Sequence, residues 1–558
     1  MSSIAESLIE FDHKHKNRHD FELQSGAANV LFQRLAFAVY TSTSSQSSKR
    51  SNSVVDSTKL HYSNAPRFSE TDHEIAMICT GLEMIHRASD SAIRRSYEEI
   101  GEEILPLLLK VINRPLERIY ENNENIANNS QYLMNSSSDP SYIITKDQKI
   151  AIQKVTKVLA AYSLIPSAKY EMAHTPGLVS TLVNIIDTKG SDRMLSNKHA
   201  HLNNGANGIR NSVGGIGLLL TEAIRFNAIA VITNLAHADG NKMFMIAQPN
   251  LIENISRVAS YDHHEVARRC ASLAIMNLSN GDEDNIPDIT GYEYILDSLV
   301  QLMRDEQAET RRNAAISLYN IASSDSNSDL LAKHGDGIIV EALVEIVSGT
   351  GENSELWNDK IRSSAAETLF NMTCSRNKHT TIFMANHPSL LGGLSSALKN
   401  NSATLDVKMF CAATIRHLAE TIQYPMLCFG SLLTALVKGH TWTKTDCIAQ
   451  GFMTQALHVE HRELMANHHG LLSAISNMSM IEGEENSKIR SCAISTIGML
   501  TSEYQIRPIL ARHEGIMMAL TKATYHERID GMDDNQEYLD EETMDLVKGA
   551  LKNLVAIM

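Results

Sequence analysis

The chain has 558 residues, 43% hydrophobic and 21% charged, which suffices for several domains' worth of core and excludes disorder throughout. Fifty Lys plus Arg against 65 Asp plus Glu leave a net charge of -15, which argues against non-specific attraction to phosphate backbones or anionic lipid as the main activity. Eleven prolines, 5% aromatic residues and 24 methionines beside abundant Leu, Ile and Ala lean towards helix and away from β-sandwiches or barrels.

At the start of the chain, Glu6, Glu10, Asp12, Lys14, Lys16 and Arg18 stand without an apolar run, so no secretory signal is expected. Residues 1–70 read as an N-terminal helix plus a Ser-rich flexible segment (41–66), in which Lys49-Arg50-Ser51-Asn52-Ser53 would suit a basophilic kinase at Ser53, or serve as plain linker. Residues 71–120, with EEIGEEILPLLLKVIN, read as a divergent N-terminal repeat or cap, and 121–145 as an Asn/Ser-rich linker. The stretch 146–558 reads as about eight or nine repeats, with insertions near 187–222, 347–360 and 527–542.

The repeats are read from one helical phrase: NAIAVITNLA, RCASLAIMNLSN, RNAAISLYNIAS, SAAETLFNMTCS, CAATIRHLAET and CAISTIGMLTS. Aligned on the Asn, the register runs through Asn234, Asn277, Asn320, Asn371, His417, Ala456, Met499 and Asn553, most often 43 residues apart. Six places earlier stands a small residue (Ala228, Ala271, Ala314, Ala365, Cys411, Ala493). Aliphatic columns stand two earlier (Ile232, Ile275, Leu318) and one later (Leu235, Leu278, Ile321, Leu457). Such offsets make one buried helical stripe. A second phrase alternates with the first, a turn residue followed by a short apolar helix (PGLVSTLVNII, DGIIVEALVEIV, HGLLSAISNM). Corners fall at Gly177, Pro249-Asn250, Gly291, Gly337, Pro388-Ser389, Gly430, Gly470 and Gly515, where Gly is expected to take positive φ.

A short helix, a Gly or Pro corner, a second helix and a longer third helix ending in A-x-x-L-x-N-L resemble the armadillo repeat. That resemblance implies an all-α, right-handed α-solenoid of stacked three-helix repeats. It also implies a non-enzymatic scaffold or adaptor that binds extended segments of partner proteins along a concave groove. In importin-α a Trp accompanies the ladder Asn four positions earlier; here Ala230, Leu273, Ile316, Glu367 and Ala413 stand there, and the two tryptophans are Trp357 and Trp442. A nuclear-transport or targeting adaptor is therefore the disfavoured alternative.

No nucleotide, hydrolase or zincin frame occurs, so no catalytic residue and no cofactor is expected. His458 with His461, three apart on a helix, is the nearest approach to a metal pair and lacks a third ligand; no metal is expected. The acidic run Glu527–Glu542 lacks the ligand alternation of a calcium loop. Seven dispersed cysteines without a CxxC read as reduced and mostly buried, which points to the cytoplasm or nucleus; no membrane span and no nucleic-acid partner are expected.

The candidate groove is the column Asn234, Asn277, Asn320, Asn371 and His417, flanked eight positions earlier by Phe226, Arg269, Arg312, Ser363 and Met409. An amide donates and accepts at once, which suits a peptide backbone, and the Arg269 and Arg312 guanidinium groups would select acidic or phosphorylated side chains. A further basic column, Arg225, Arg268, Arg311, Arg362, Lys408 and Arg490, falls on the core stripe and is expected to cover apolar surface with its stems or to bond carbonyls of an adjacent turn.

Overall fold

The computed structural model describes residues 32–36, 38, 68–88, 90–128, 144–187, 220–281, 289–292, 294–349, 357–375, 377–422, 429–441, 446–528 and 541–557. Every regular element among them is a helix, and the chain divides into two compact units, Met1–Gly281 and Asp282–Met558.

The first unit holds α1 (Phe68–Ala88), α2 (Asp90–Asn128), α3 (Lys146–Tyr162), α4 (Ala168–His174), α5 (Leu178–Ile186), α6 (Glu222–Ala236), α7 (Lys242–Ile246), α8 (Leu251–Tyr261) and α9 (Glu265–Ser279). α2 runs on to Asn128, so 121–128 is helical where a linker was expected, while 129–143 lies outside the described residues. α3 starts on a reciprocal cap: Thr145 Oγ1 accepts from Gln148 N at 3.2 Å and Gln148 Oε1 accepts from Thr145 N at 3.0 Å. α1 is fastened to α3 by Glu83, a buried carboxylate held by Lys154 at 2.5 Å and Lys157 at 3.0 Å. Burial draws the Glu83 carboxyl upward, and the two ammonium groups outweigh that and hold it below its ordinary value.

In the second unit come α10 (Ile295–Leu302), α11 (Ala308–Ala322), α12 (Ser328–Lys333), α13 (Ile338–Ser348), α14 (Asp359–Thr373), α15 (Lys378–Ala385), α16 (Leu390–Lys399) and α17 (Leu405–Thr421). They are followed by α18 (Phe429–Gly439), α19 (Cys447–Leu457), α20 (Val459–Asn467), α21 (Leu471–Ser479), α22 (Ser487–Ser502), α23 (Arg507–Ala511), α24 (Glu514–Arg528) and α25 (Glu541–Val555). Within each unit the third helices stack in series: α3, α6 and α9 in the first, and α11, α14, α17, α19, α22 and α25 in the second. Second helices form a parallel series, for example α13, α16 and α18.

The small and aliphatic columns are the seam of this stack. Ala228, Ala271, Ala314, Ala365, Cys411 and Ala493 are buried, as are Ile232, Ile275, Leu318, Leu235, Leu278 and Ile321. Leu457 departs from the pattern at 59% exposure. In that repeat the register shifts by one: buried Gln455 donates to the carbonyls of Ala419 and, at 3.3 Å, Ile422, while Ala449 and Ala456 are buried on either side of it. Positive φ occurs at Gly177 (84°), Asn250 (60°), Gly337 (97°) and Gly470 (78°), directly ahead of their second helices. The expectation fails at Gly291, Gly430 and Gly515: none has positive φ, and Gly430 and Gly515 lie inside α18 and α24 as ordinary helical residues.

The insertion residues 188–219, 350–356 and 529–540 lie outside the described residues, as do Ser53, Trp442 and Cys428. Of the other cysteines, Cys79, Cys411 and Cys492 are buried, Cys270 and Cys447 half-buried, and Cys374 exposed; none forms a disulfide.

Candidate binding strip on the third helices

The amides of Asn234 and Asn277 bond back to the preceding third helix or its end and do not point straight to solvent. Asn234 Nδ2 donates to Ser163 Oγ at 2.9 Å, just past the end of α3. Asn277, 8% exposed, donates from Nδ2 to the Thr233 carbonyl of α6 at 3.2 Å. One donor of each of these amides is thus spent on stacking, and what remains for a ligand is the second N–H and the Oδ1 acceptor. Asn320 and Asn371 are half-buried at the same position in the second unit.

The solvent-facing line of each third helix runs through neighbouring positions instead. Arg269, Arg312 and Met409 are exposed eight residues before the column, where Phe226 and Ser363 are half-buried. Three residues after it, His237, Asn280, Ser323, Cys374 and Glu420 are all exposed. At 100° per residue the column sits some 60° away from the latter set, which is enough to turn it onto the adjoining helix. The positions four before the column (Ala230, Leu273, Ile316, Glu367, Ala413) are half-buried, and Trp357 is in the core with Nε1 donating to the Met303 carbonyl at 3.5 Å.

Four members of the basic column, Arg225, Arg268, Arg311 and Arg490, bond backbone carbonyls of nearby turns. Arg225 Nη1 donates to the Leu220 carbonyl at 3.3 Å, with Nη2 3.6 Å from Asp262 Oδ2. Arg268 donates to the Asp262 carbonyl at 3.0 Å, and Arg490 to those of Ile481 at 3.1 Å and Gly483 at 2.5 Å. Arg311, 3% exposed, donates to the carbonyls of Asp305 at 2.7 Å and Glu306 at 2.8 Å. Arg311 and Arg312 are neighbours in sequence with opposite tasks, one turned inward onto the carbonyls of Asp305 and Glu306 and the other facing water.

His417 belongs to a polar chain that the sequence reading missed. Its Nε2 lies 3.9 Å from Cys374 Sγ on α14's end and 3.2 Å from Arg416 Nη2. Arg416 Nη1 donates to Gln450 Oε1 at 3.1 Å, Gln450 Nε2 donates to Asp446 Oδ2 at 2.6 Å, and that carboxylate pairs with Lys488. The chain crosses α14, α17, α19 and α22, so the strip's polar groups here are largely engaged with one another. Burial holds the His417 imidazole below its ordinary pKa; Arg416 adds to this and Glu420 opposes it. Burial likewise raises the Cys374 thiol, with Arg416 opposing and Asp325 and Glu420 adding. The partners of Arg416 are invisible in sequence because the uneven spacing between repeats hides which residues become neighbours.

A second device was also missed. Asn241 Nδ2 donates to the Leu235 carbonyl at 3.0 Å and Asn327 Nδ2 to the Ile321 carbonyl at 3.1 Å, each six residues back. Arg462 does the same to Ala456 and Arg507 to Thr501, both at 2.8 Å. A side chain following the third helix thereby satisfies one of that helix's terminal carbonyls. Seven residues after the Asn in two repeats, this Asn was a legible column.

Among the described residues no group of three or more His, Cys, Asp or Glu side chains could hold a metal ion, and no helix is long and apolar enough to cross a membrane.

No family model matches the sequence, and no curated protein matches it. Solved structures do resemble it. An engineered protein is 16% identical over 88% of this chain and 97% of its own, with a TM-score of 0.46. A structure from work on a phosphorylation switch controlling the interaction between cadherin and β-catenin is 12% identical over 98% of this chain and all of its own, also at 0.46. A designed armadillo repeat protein in complex with the peptide (KR)4 is 17% identical over 49% of this chain and 95% of its own, at 0.35. The fold is an armadillo-like helical repeat. What decides it is the repeating unit itself, two short helices turning at a corner into a longer third helix that stacks on its predecessor.

Proposed function

We propose that this armadillo-like protein is a non-enzymatic scaffold or adaptor that binds extended segments of partner proteins along the solvent-facing strip of its third helices. The observation that carries the reading is the register. On successive stacked helices within a unit, the offset three residues after the column faces solvent with polar or polarizable side chains. Arg269 in the first unit and Arg312 in the second are exposed at the offset that would meet acidic or phosphorylated side chains. The Asn column contributes its remaining amide groups to the bound backbone. Half-buried Ala, Leu, Ile and Glu at the offset where importin-α carries Trp speak against an importin-type cargo site. Free cysteines support an intracellular place of action, in cytoplasm or nucleus.

Asn277 is a poor probe because its amide also joins two helices, whereas Arg269→Glu and Arg312→Glu alter exposed groups. Binding of the wild type and of the double charge reversal to arrays of acidic, phosphorylated and basic peptides, at two salt concentrations, tests the reading. We expect salt-sensitive capture of acidic or phosphorylated peptides that the double variant loses. Equal capture by both proteins would move the function to another face.

A further inference from the structure

The repeat built from α20, α21 and α22 holds a histidine away from the third-helix strip. His461, in the first turn of the nine-residue helix α20, is fully enclosed; the Gln455 backbone carbonyl stands by its ring, and no side chain hydrogen-bonds either Nδ1 or Nε2. A neutral imidazole always carries one donor and one acceptor; the Gln455 carbonyl can accept from the donor, and the enclosure leaves the other nitrogen unmet. The ring packs against Phe429, with centroids 4.4 Å apart, and stands 5.1 Å from the His458 ring.

The carboxylates on the elements around it, Glu460 and Glu463 on α20 and Glu503 ahead of the 504–506 turn that packs against α20, form no ion pair with the ring. From its own helix, Glu460 is exposed, and Arg462 is turned away to the Ala456 carbonyl at 2.8 Å and Ser502 Oγ at 2.9 Å. His458, at the start of α20, would repel an imidazolium, and Gln455 of α19 presents only its backbone carbonyl, which favours the charged form. α18 contributes the Phe429 ring, and α21 (LLSAISNMS) carries no ionisable side chain. On α22 the cations stand at the far end, Lys488 against Asp446 and Arg490 on the carbonyls of Ile481 and Gly483, and Arg507 of α23 lies over the Tyr504 ring at 5.5 Å. Burial is the largest influence on this imidazole and holds its pKa below the ordinary value; His458 adds to this, while Glu460 and the Gln455 carbonyl oppose it.

We propose that His461 is an acid-sensitive latch: the closed repeat admits only the neutral ring, so acidification opens α20 locally while the remainder of the second unit stays folded. Opening carries Arg462 with it, releasing the terminal carbonyl of α19 and the tie to α22. Confinement to one repeat follows because repeats contact only their neighbours. The proposal concerns the face of the first helices and does not depend on peptide binding by the third.

Hydrogen exchange of the full chain tests it, read at the amides of 459–467 at pH 7.5 and pH 5.5 and corrected for intrinsic exchange. If the enclosed ring takes no proton while the open one titrates near 6.5, the opening constant of α20 rises about tenfold between these two pH values. The amides of α11 and α14 keep their protection. In His461→Leu the rise disappears. Unchanged protection of α20 in the wild type, or the same acid-driven rise in the Leu variant, overturns the proposal. Should the Leu variant not fold, the wild-type imidazole resonance of His461 decides: titration in the ordinary histidine range with α20 still protected refutes the latch, whereas titration only together with loss of α20 protection supports it.

Discussion

Arg311 and Arg312 show how much one residue's placement governs its worth. The Arg311 guanidinium is enclosed and bonded to two turn carbonyls, so Arg311→Ala would strip both acceptors of their donor and remove a packed stem. A loss of about 2 to 3 kcal/mol is expected in urea denaturation of the second unit. Arg312→Ala, at an exposed position, should stay within about 0.5 kcal/mol. Titration belongs to the same scale. Burial holds the His387, His417 and His461 imidazoles below their ordinary value. The unfolded chain therefore binds protons that the folded chain refuses once the pH drops below about 6.5, and stability falls with falling pH from there. Glu83, depressed by Lys154 and Lys157 despite its burial, adds a second loss at lower pH: its contribution is intact above about 4.3 and fades as the carboxylate protonates. Urea midpoints measured at pH 7.5, 5.5 and 4 should decrease in that order; a flat profile from 7.5 to 5.5 would contradict the histidine part.

Between residues and the stack stand the helices and their corners, where two kinds of glycine that look alike in sequence behave oppositely. Gly177 has a φ of 84° ahead of α5, with open space where a Cβ would stand. Gly177→Ala therefore meets no clash yet forces an L-residue into left-handed backbone, a cost of about 1 kcal/mol. Gly430 lies inside α18, also with open space beyond its Cα, so Gly430→Ala should gain up to about 1 kcal/mol from helix propensity. Thermal melts of the two variants should shift in opposite directions. The third helices end on borrowed donors, and Asn327→Ala should cost about 1 kcal/mol by leaving the Ile321 carbonyl without its amide, read from the same melts.

For each unit as a whole, stability is a sum over neighbouring repeats. Leu318 is fully buried where α11 packs, and Leu318→Asp places a charge there. Limited proteolysis should then cut first near α11 and α12, with fragments from α19 to α25 surviving longest; cleavage confined to the ends of the chain would contradict nearest-neighbour stacking. The binding strip belongs to this scale too, because it exists only when helices distant in sequence lie side by side.

The all-α class, the three-helix unit and the buried columns follow from the sequence alone, because spacing along a helix maps directly onto one face: Ala228, Ile232 and Leu235 had to share a side, and in α6 they share the buried one. That the basic column turns inward was likewise legible, since nine residues before the Asn is a core-facing offset. Tertiary structure alone decided which way the Asn amides turn, because their acceptors, Ser163 Oγ and the Thr233 carbonyl, come from the preceding repeat. It also decided the chain from Cys374 through Arg416 and Gln450 to Lys488, the helical setting of Gly430 and Gly515, and the enclosure of His461. Each depends on how repeats separated by unequal loops come into register, and periodicity within a single helix carries no information about its neighbour's phase.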